Sequence, residues 1–461
     1  MPKLVIFDLD GVLLDSCDIH FNTLNAALME YTGTMISRAD HETLYNGLST
    51  RSKLSRLGLA PALQDAVFAL KQRLTVEAMK TVQSRPDLQA VLTSLRERGI
   101  SLWCASNCIR ATVESVLTNQ GIRGLFDGVL SNEDVATPKP APDMYLRCME
   151  VAGVPPSDTL IFEDSYTGLR AAVASGARVW RVPHPSALTA EFVEEAVASS
   201  GSNLMQSVNV VIPMAGNGSR FATAGYKDPK PFIPVFGSPM ISWVVRNVGL
   251  SASYTFIIRK EFEETYSATE YLQRISPGCR VIAIDAVTEG AACTVLKAKD
   301  VVDADAPLLI INSDQYIEFL EGHTALGAML DFLYNPAKAH LSGLISTFDG
   351  HRNPKWSYAK TDASGIVTEV REKDPFSDHA TTGLYVWRRG SDFVRYAEQM
   401  IAKNIRVNNE FYVVPVFNEA IADGHLFGIF PCKRMWGIGV PEDLDYFLAH
   451  YQDASNTRNL L

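Results

Sequence analysis

Two α/β units in tandem, each a Rossmann-like, mostly parallel sheet flanked by helices, are what this sequence predicts. Three observations carry the prediction. The chain has 461 residues, more than one hydrophobic core usually organises. Short apolar runs ending in polar residues alternate with helical patterns through both halves. A small polar stretch, Ser199–Asn203, separates a helical segment from a fresh apolar strand beginning at Val208.

The first half supplies its strands in order. "KLVIFDLD", "SLWCASN", "GVLSNED" and "DTLIFED" are apolar runs that stop at polar residues, with helical stretches such as "APDMYLRCMEVAG" and "SYTGLRAAVASGA" between them. Ligands of such sheets gather at the carboxyl ends of the strands. Residues 16–85 show mostly helical periodicity and no convincing strand, so a helical cap inserted after the first strand is expected. The predicted division is a first domain at 1–188, a linker at 189–207 and a second domain at 208–461. The second half adds the strands "VNVVIPMAG", "YTFIIRK", "RVIAIDA", "APLLIINSD" and "AHLSGLISTF", and shows no short repeat.

Composition narrows the classes. Hydrophobic residues make up 47% and charged residues 20%, a globular balance. A formal charge of -10 with no basic stripe speaks against nucleic acid as a partner. The 7 cysteines are scattered without a CxxC pair, which fits a reducing compartment. No leader and no membrane-length apolar run is evident, so the expectation is a cytoplasmic protein without membrane insertion. A homo-oligomer is compatible with all of this.

The chemistry of the first half begins at Asp8 and Asp10, two apart at a strand end and so on one side of it. Such carboxylates repel unless a cation or proton sits between them, and a hard divalent ion such as magnesium suits oxygen ligands. Ser106 ends another strand, where a hydroxyl can hold a phosphate oxygen. Lys139 precedes a helix and offers a point charge to a phosphoryl group. Glu163 and Asp164 end a further strand as candidate metal ligands.

In this order and context the set resembles the haloacid dehalogenase superfamily over roughly residues 1–188, in the helical-cap branch with phosphoglycolate phosphatase and beta-phosphoglucomutase. The resemblance implies Asp8 as nucleophile and Asp10 as general acid and base. It implies Ser106, Asn107 and Lys139 around the phosphoryl group. Magnesium would be held by Asp8, Asp10 and Asp164 with Glu163 assisting, and the cap residues His20 and Arg51 would contact substrate. For His20 alone a structural role is an equal reading.

In the second half, "VVIPMAGNGSRFATAGYKDPKPFIPV" runs a strand into Gly216, Gly218, Ser219 and Arg220, with Lys230 following. Glycines let backbone amides approach phosphates, and Arg220 adds a cationic fork. The loop is neither a dinucleotide fingerprint nor an ATPase P-loop. It resembles the sugar-phosphate nucleotidyltransferases, over about residues 208–447. The resemblance implies Arg220 and Lys230 as charge-neutralising residues, Asp314 as a metal ligand, and Glu372, Lys373, Thr382, Gly383 and Glu410 on the acceptor side. For Glu410 a solvated carboxylate is nearly as good a reading. One departure stands out. "MWGIGVPEDL" places Gly437 where many relatives carry a second metal-binding aspartate.

The expected whole is a bifunctional enzyme using magnesium, a nucleoside triphosphate and a sugar or polyol phosphate, serving surface polysaccharide synthesis. Two alternatives stay open: a nucleotide-sensing second domain regulating the phosphatase, or a phosphomutase feeding the transferase.

Overall fold

The computed structural model describes residues 1–45 and 48–451 and divides into two compact units. Met1–Leu204, with Tyr334–Lys338, forms the first; Met205–Leu333 and the chain from Ala339 onward form the second.

The first unit holds a five-stranded, all-parallel sheet in the order Gly128–Leu130, Ser101–Ala105, Leu4–Phe7, Thr159–Glu163, Arg178–Arg181. The fifth strand, "RVWR", escaped the sequence pattern because its charged ends leave only two buried residues. The central strands are buried on both faces, as helix-covered parallel strands are. Phe7 stacks on Phe162 at 5.0 Å across the pair. Helices Pro86–Glu97, Arg110–Asn119 and Ala190–Ala198 contribute Leu88, Leu92, Val113, Val193 and Val197 to this core. The cap has a separate core. Helices Cys17–Thr32 and Pro61–Met79 pack through Leu24, Ala27, Leu28 and Val67, apolar positions at helical spacing.

The segment expected as a linker, 189–207, is largely structure of the first unit. Thr189 caps helix Ala190–Ala198, which is amphipathic and so seats on the core. Beyond it, Ser202 accepts from the Val179 amide, and Asn203 bonds both the amide and the carbonyl of Arg181. These side chains satisfy the open edge of the fifth strand. The division falls between Leu204 and Met205.

The second unit carries a nine-stranded sheet whose main path is Arg280–Ile284, Ser253–Arg259, Asn209–Pro213, Leu308–Ile311, His379–Trp387, Gly343–Asp349, Phe427–Pro431. The first four are parallel, as their crossover helices require. His379–Trp387 runs antiparallel to both neighbours, so the sheet is mixed. Trp387 anchors the core between Phe417 and Phe427, at 4.6 Å and 5.0 Å. A two-stranded ribbon, Gln315–Glu318 with Arg434–Gly437, lies apart from the main sheet. No described helix is long and apolar enough to cross a membrane, and all seven cysteines are free.

Candidate active sites of the two units

Parallel register builds the first site. Phe7 pairs with Cys104 on one side and Phe162 on the other, so the next residue, Asp8, lies level with Ala105 and Glu163. Three strand ends thereby deliver Asp8, Ser106 and Asp164 to one edge. Lys139 enters from its loop, buried, and its Nζ donates to Asp8 Oδ1 at 2.6 Å, Glu163 Oε2 at 2.8 Å and the Ala105 carbonyl at 2.9 Å. Burial opposes its charge, but Asp8 and Glu163 more than reverse this and raise its pKa. Asp8 is pushed above the ordinary carboxylate range by burial and by Glu163, against the pull of Lys139.

Glu163 gathers several donors at once. Its Oε2 accepts from Lys139 and from the Tyr145 hydroxyl at 2.6 Å, and its Oε1 accepts from the Asp164 and Ser165 amides and the Ser165 hydroxyl. Both oxygens accept hydrogen bonds, so Glu163 holds Lys139 in place while standing in one cluster with Asp8 and Asp164. Asp164 is the complement. Its Oδ1 is buried without a partner. Burial, Glu163 and Asp8 together raise its pKa. Crowded carboxylates with one orphaned oxygen fit a divalent cation between Asp8 and Asp164. A side chain at Gly11 would collide with Asp164, and Gly11 has φ 79°, so only glycine fits this approach.

Asp10 sits among donors. Ser16 Oγ donates to its Oδ1 at 2.5 Å, His20 Nε2 lies 2.8 Å from the same oxygen, and Cys108 Sγ and Ser106 Oγ reach Oδ2 at 3.1 Å and 3.4 Å. Lys71 Nζ donates to His20 Nδ1 at 3.2 Å; an ammonium cannot accept, so the ring proton sits on Nε2 and points at Asp10. Burial lowers the His20 pKa, Asp10 opposes this, and Lys71 reinforces it. For Asp10, burial works against the charged form, yet His20, Ser16 and Cys108 outweigh it and hold the carboxyl below its usual range.

Two expected substrate residues move. Arg51 points away from the cavity: it pairs with Asp65 and stacks over Phe68 on the cap surface. Asn107 lines the cavity, but its amide bonds the Lys139 backbone in both directions, at 3.1 Å each, and so fixes the lysine loop. The cavity instead receives Lys53 and Lys71 from the cap, 7% and 3% exposed, together with His41, whose ring nitrogens have no partner among the described residues. Burial, then Lys71, lowers the Lys53 pKa to about 8. Sequence reading missed these lysines, and Cys108, because a lysine in a helical pattern reads as a solvated charge.

The second site lies along the strand ends near Asn209–Pro213. Gly218 takes φ 58°, and a Cβ there would stand 3.1 Å from the Lys230 Cβ, so glycine lets the lysine pass. Gly216 faces open space. Lys230 Nζ donates to Asp314 Oδ2 at 2.8 Å. Gly216, Gly218, Ser219, Arg220, Lys230, Asp314 and Glu410 line one stretch of the cleft. Asp314, Arg220, Glu372, Lys373, Thr382 and Gly383 line the adjoining stretch. Glu372 accepts from Ser357, and burial raises its pKa. Lys373, at φ 56°, donates to the Tyr412 hydroxyl at 2.8 Å. The structure thus brings the predicted residues into one cleft. It adds Lys355, Trp356, Tyr412 and Asp443, which no motif marked.

Two family models match this chain: "Haloacid dehalogenase-like hydrolase" over residues 5–182 and "Nucleotidyl transferase" over residues 209–444. The chain belongs to the nucleotidyl transferase family and carries a haloacid dehalogenase-like hydrolase domain before it. The hydrolase domain is similar to Protein CbbY of Rhodobacter capsulatus, 28% identical over 222 residues, 42% of this chain and 98% of that protein. It is also similar to the fructose-1-phosphate phosphatase YqaB of Escherichia coli, 29% identical over 175 residues, 37% of this chain and 92% of that protein. Among solved structures, the nucleoside-diphosphate-sugar pyrophosphorylase of Vibrio cholerae RC9 is 25% identical with a TM-score of 0.44, over 52% of this chain and 99% of that one. The protein is an enzyme of two kinds in one chain, with a hydrolase domain and a nucleotidyl transferase domain.

Proposed function

We propose that the hydrolase domain is a magnesium-dependent phosphatase acting on a small sugar or polyol phosphate that bears a second anionic group. We propose that the transferase domain joins a nucleoside triphosphate to a sugar or polyol phosphate with release of pyrophosphate. The observation carrying the first part is the pair of buried lysines, Lys53 and Lys71, in the cavity that holds Asp8 and Lys139. Buried ammonium groups without carboxylate partners are costly unless a ligand brings the charge. The phosphoryl group would lie at Asp8, and a distal phosphate or carboxylate would meet the lysines. The name of the fructose-1-phosphate phosphatase relative supports a sugar phosphate.

Asp8 Oδ2 attacks phosphorus while the ester P–O bond breaks, giving an aspartyl phosphate and a leaving oxygen that takes the Asp10 proton. Water then attacks phosphorus, Asp10 takes its proton, and phosphate leaves. Asp10 rests ionised among its donors; an arriving phosphate dianion favours its protonated form. Lys139 neutralises the phosphoryl oxygens, and Glu163 with Tyr145 holds it in place. Asp8 and Asp164 would hold a magnesium ion, which would supply charge neutralisation between phosphate and carboxylates.

In the transferase domain, Arg220 and Lys230 neutralise the triphosphate, and Glu372 with Lys373 receives the acceptor. A phosphatase that consumed the transferase's acceptor would be futile. A bisphosphate that loses one phosphate and is nucleotidylated at the other satisfies both sites, for a product entering surface polysaccharide synthesis. Phosphate and pyrophosphate release across a panel of sugar and polyol mono- and bisphosphates, with each common triphosphate, tests the reading. Absence of both products across the panel refutes it.

A further inference from the structure

The resemblance to the sugar-phosphate nucleotidyltransferases would place a second carboxylate at Gly437, and the structure sets two other side chains beside this glycine. Gly437 pairs with Gln315 in the ribbon, and the next amide, Ile438, donates to the Asp314 carbonyl at 3.0 Å. A Cβ on Gly437 would stand 2.9 Å from the Trp356 ring and 3.2 Å from Asp443 Oδ2. An indole edge and a carboxylate oxygen thus flank the position of a side chain at 437. Asp443 comes from the first turn of helix Pro441–His450, and Lys355 Nζ donates to both its oxygens, at 2.9 Å and 3.2 Å. Asp314 is neutralised in the same manner by Lys230, and both carboxylates line one stretch of cleft. Thr382 Oγ1, buried at the cleft, has no partner among the described residues, and a hydroxyl oxygen can serve a cation as a ligand.

We propose that Asp443 supplies the second carboxylate of the transferase cation site, delivered from the helix instead of the strand, with Lys355 as its counterion until the cation arrives. The proposal rests on the transferase reading above. The Lys355–Asp443 pair is partly exposed, 43% and 28%, and such pairs open at small cost. A hard divalent cation then replaces an ammonium on carboxylate oxygens, the ligands it prefers. A Cβ at 437 stands 2.9 Å from the Trp356 ring, so Gly437→Asp requires the indole to shift.

The test uses the full chain with Asp8→Asn and Asp164→Asn, which remove two of the hydrolase-site carboxylates, and follows free Mn2+ by electron paramagnetic resonance, with and without inorganic pyrophosphate. Expected are a loss of at least about tenfold in Mn2+ affinity for Asp443→Asn and for Asp314→Asn, and a gain of several-fold for Lys355→Met, which removes the competing cation. A merely structural role for Lys355 gives no gain. Asp443→Ser serves as a second variant, with circular-dichroism melting as the check on folding. Mn2+ affinity within about twofold of the parent for both Asp443 variants, where Asp314→Asn loses it, overturns the proposal. If the chain without these changes releases pyrophosphate in that case, the transferase reading stands and only the role of Asp443 falls. Absence of both Mn2+ binding and pyrophosphate release removes the transferase reading and this proposal together.

Discussion

Replacing Lys53 by methionine separates stability from substrate binding. Lys53 is 7% exposed, and burial with the neighbouring Lys71 lowers its pKa from the ordinary 10.5 to about 8. At about 1.4 kcal/mol per factor of ten, that drop corresponds to roughly 3 kcal/mol of native-state destabilisation. Below pH 8 both folded and unfolded chains hold the proton and the full cost is present. Between pH 8 and 10.5 only the unfolded chain holds it, so stability rises with pH, and above 10.5 the cost is gone. Lys53→Met at pH 7 should therefore stabilise the hydrolase domain by up to about 3 kcal/mol, or about 6–12 °C in Tm for a domain of this size. The advantage should vanish near pH 10.5. The same change removes a charge-assisted contact worth about 1.5–3 kcal/mol, so KM for a bisphosphate should rise by about 10- to 150-fold with kcat little changed, while a monophosphate is barely affected. Calorimetry across pH and phosphate-release kinetics measure both. A variant no more stable than wild type at pH 7, with KM for every bisphosphate within about twofold, refutes the reasoning.

Other changes probe the remaining parts. Asp8→Asn should abolish phosphate release and spare pyrophosphate release, because an amide does not attack phosphorus; coupled assays for the two products decide it. Asp164→Asn removes one of three crowded carboxylates, so the protein should melt higher than wild type in chelator and lose any stabilisation by magnesium, both read by thermal melts. Lys230→Ala should lower nucleotidyl transfer by about a hundredfold, on the order of 3 kcal/mol, and weaken triphosphate binding less; a purely sensing domain would show the binding loss alone. Cleavage engineered after Leu204 should leave two soluble fragments, since each unit has its own core, whereas cleavage at Ser200 should cost the first fragment stability by freeing Ser202 and Asn203 from Arg178–Arg181.

The sequence by itself determined which strands end in chemistry. Asp8, Ser106, Asp164 and Asp314 follow apolar runs, and the loop from Gly216 to Arg220 follows another; these are local patterns of alternation and turn residues within a few positions. The parallel arrangement then forces the strand ends to one edge, so the gathering of these residues in each unit was legible. Tertiary structure alone decided which charges point inward. Lys53 and Arg51 stand two residues apart on one short helix, and a helix turns two residues to opposite faces, so Lys53 enters the cavity and Arg51 meets Asp65 outside. Glu163 reads as a metal ligand in sequence, and only packing shows that Tyr145, from helix Asp143–Ala152, and Lys139, from a loop, also donate to it. Ser202 and Asn203 read as slack linker, yet an open strand edge supplies their partners. Gly437 reads as a lost ligand, while the helix after it brings Asp443 to the same place. In each case the deciding partner is distant in the chain or on another element, and hydrogen-bond saturation and burial become defined only once those elements pack.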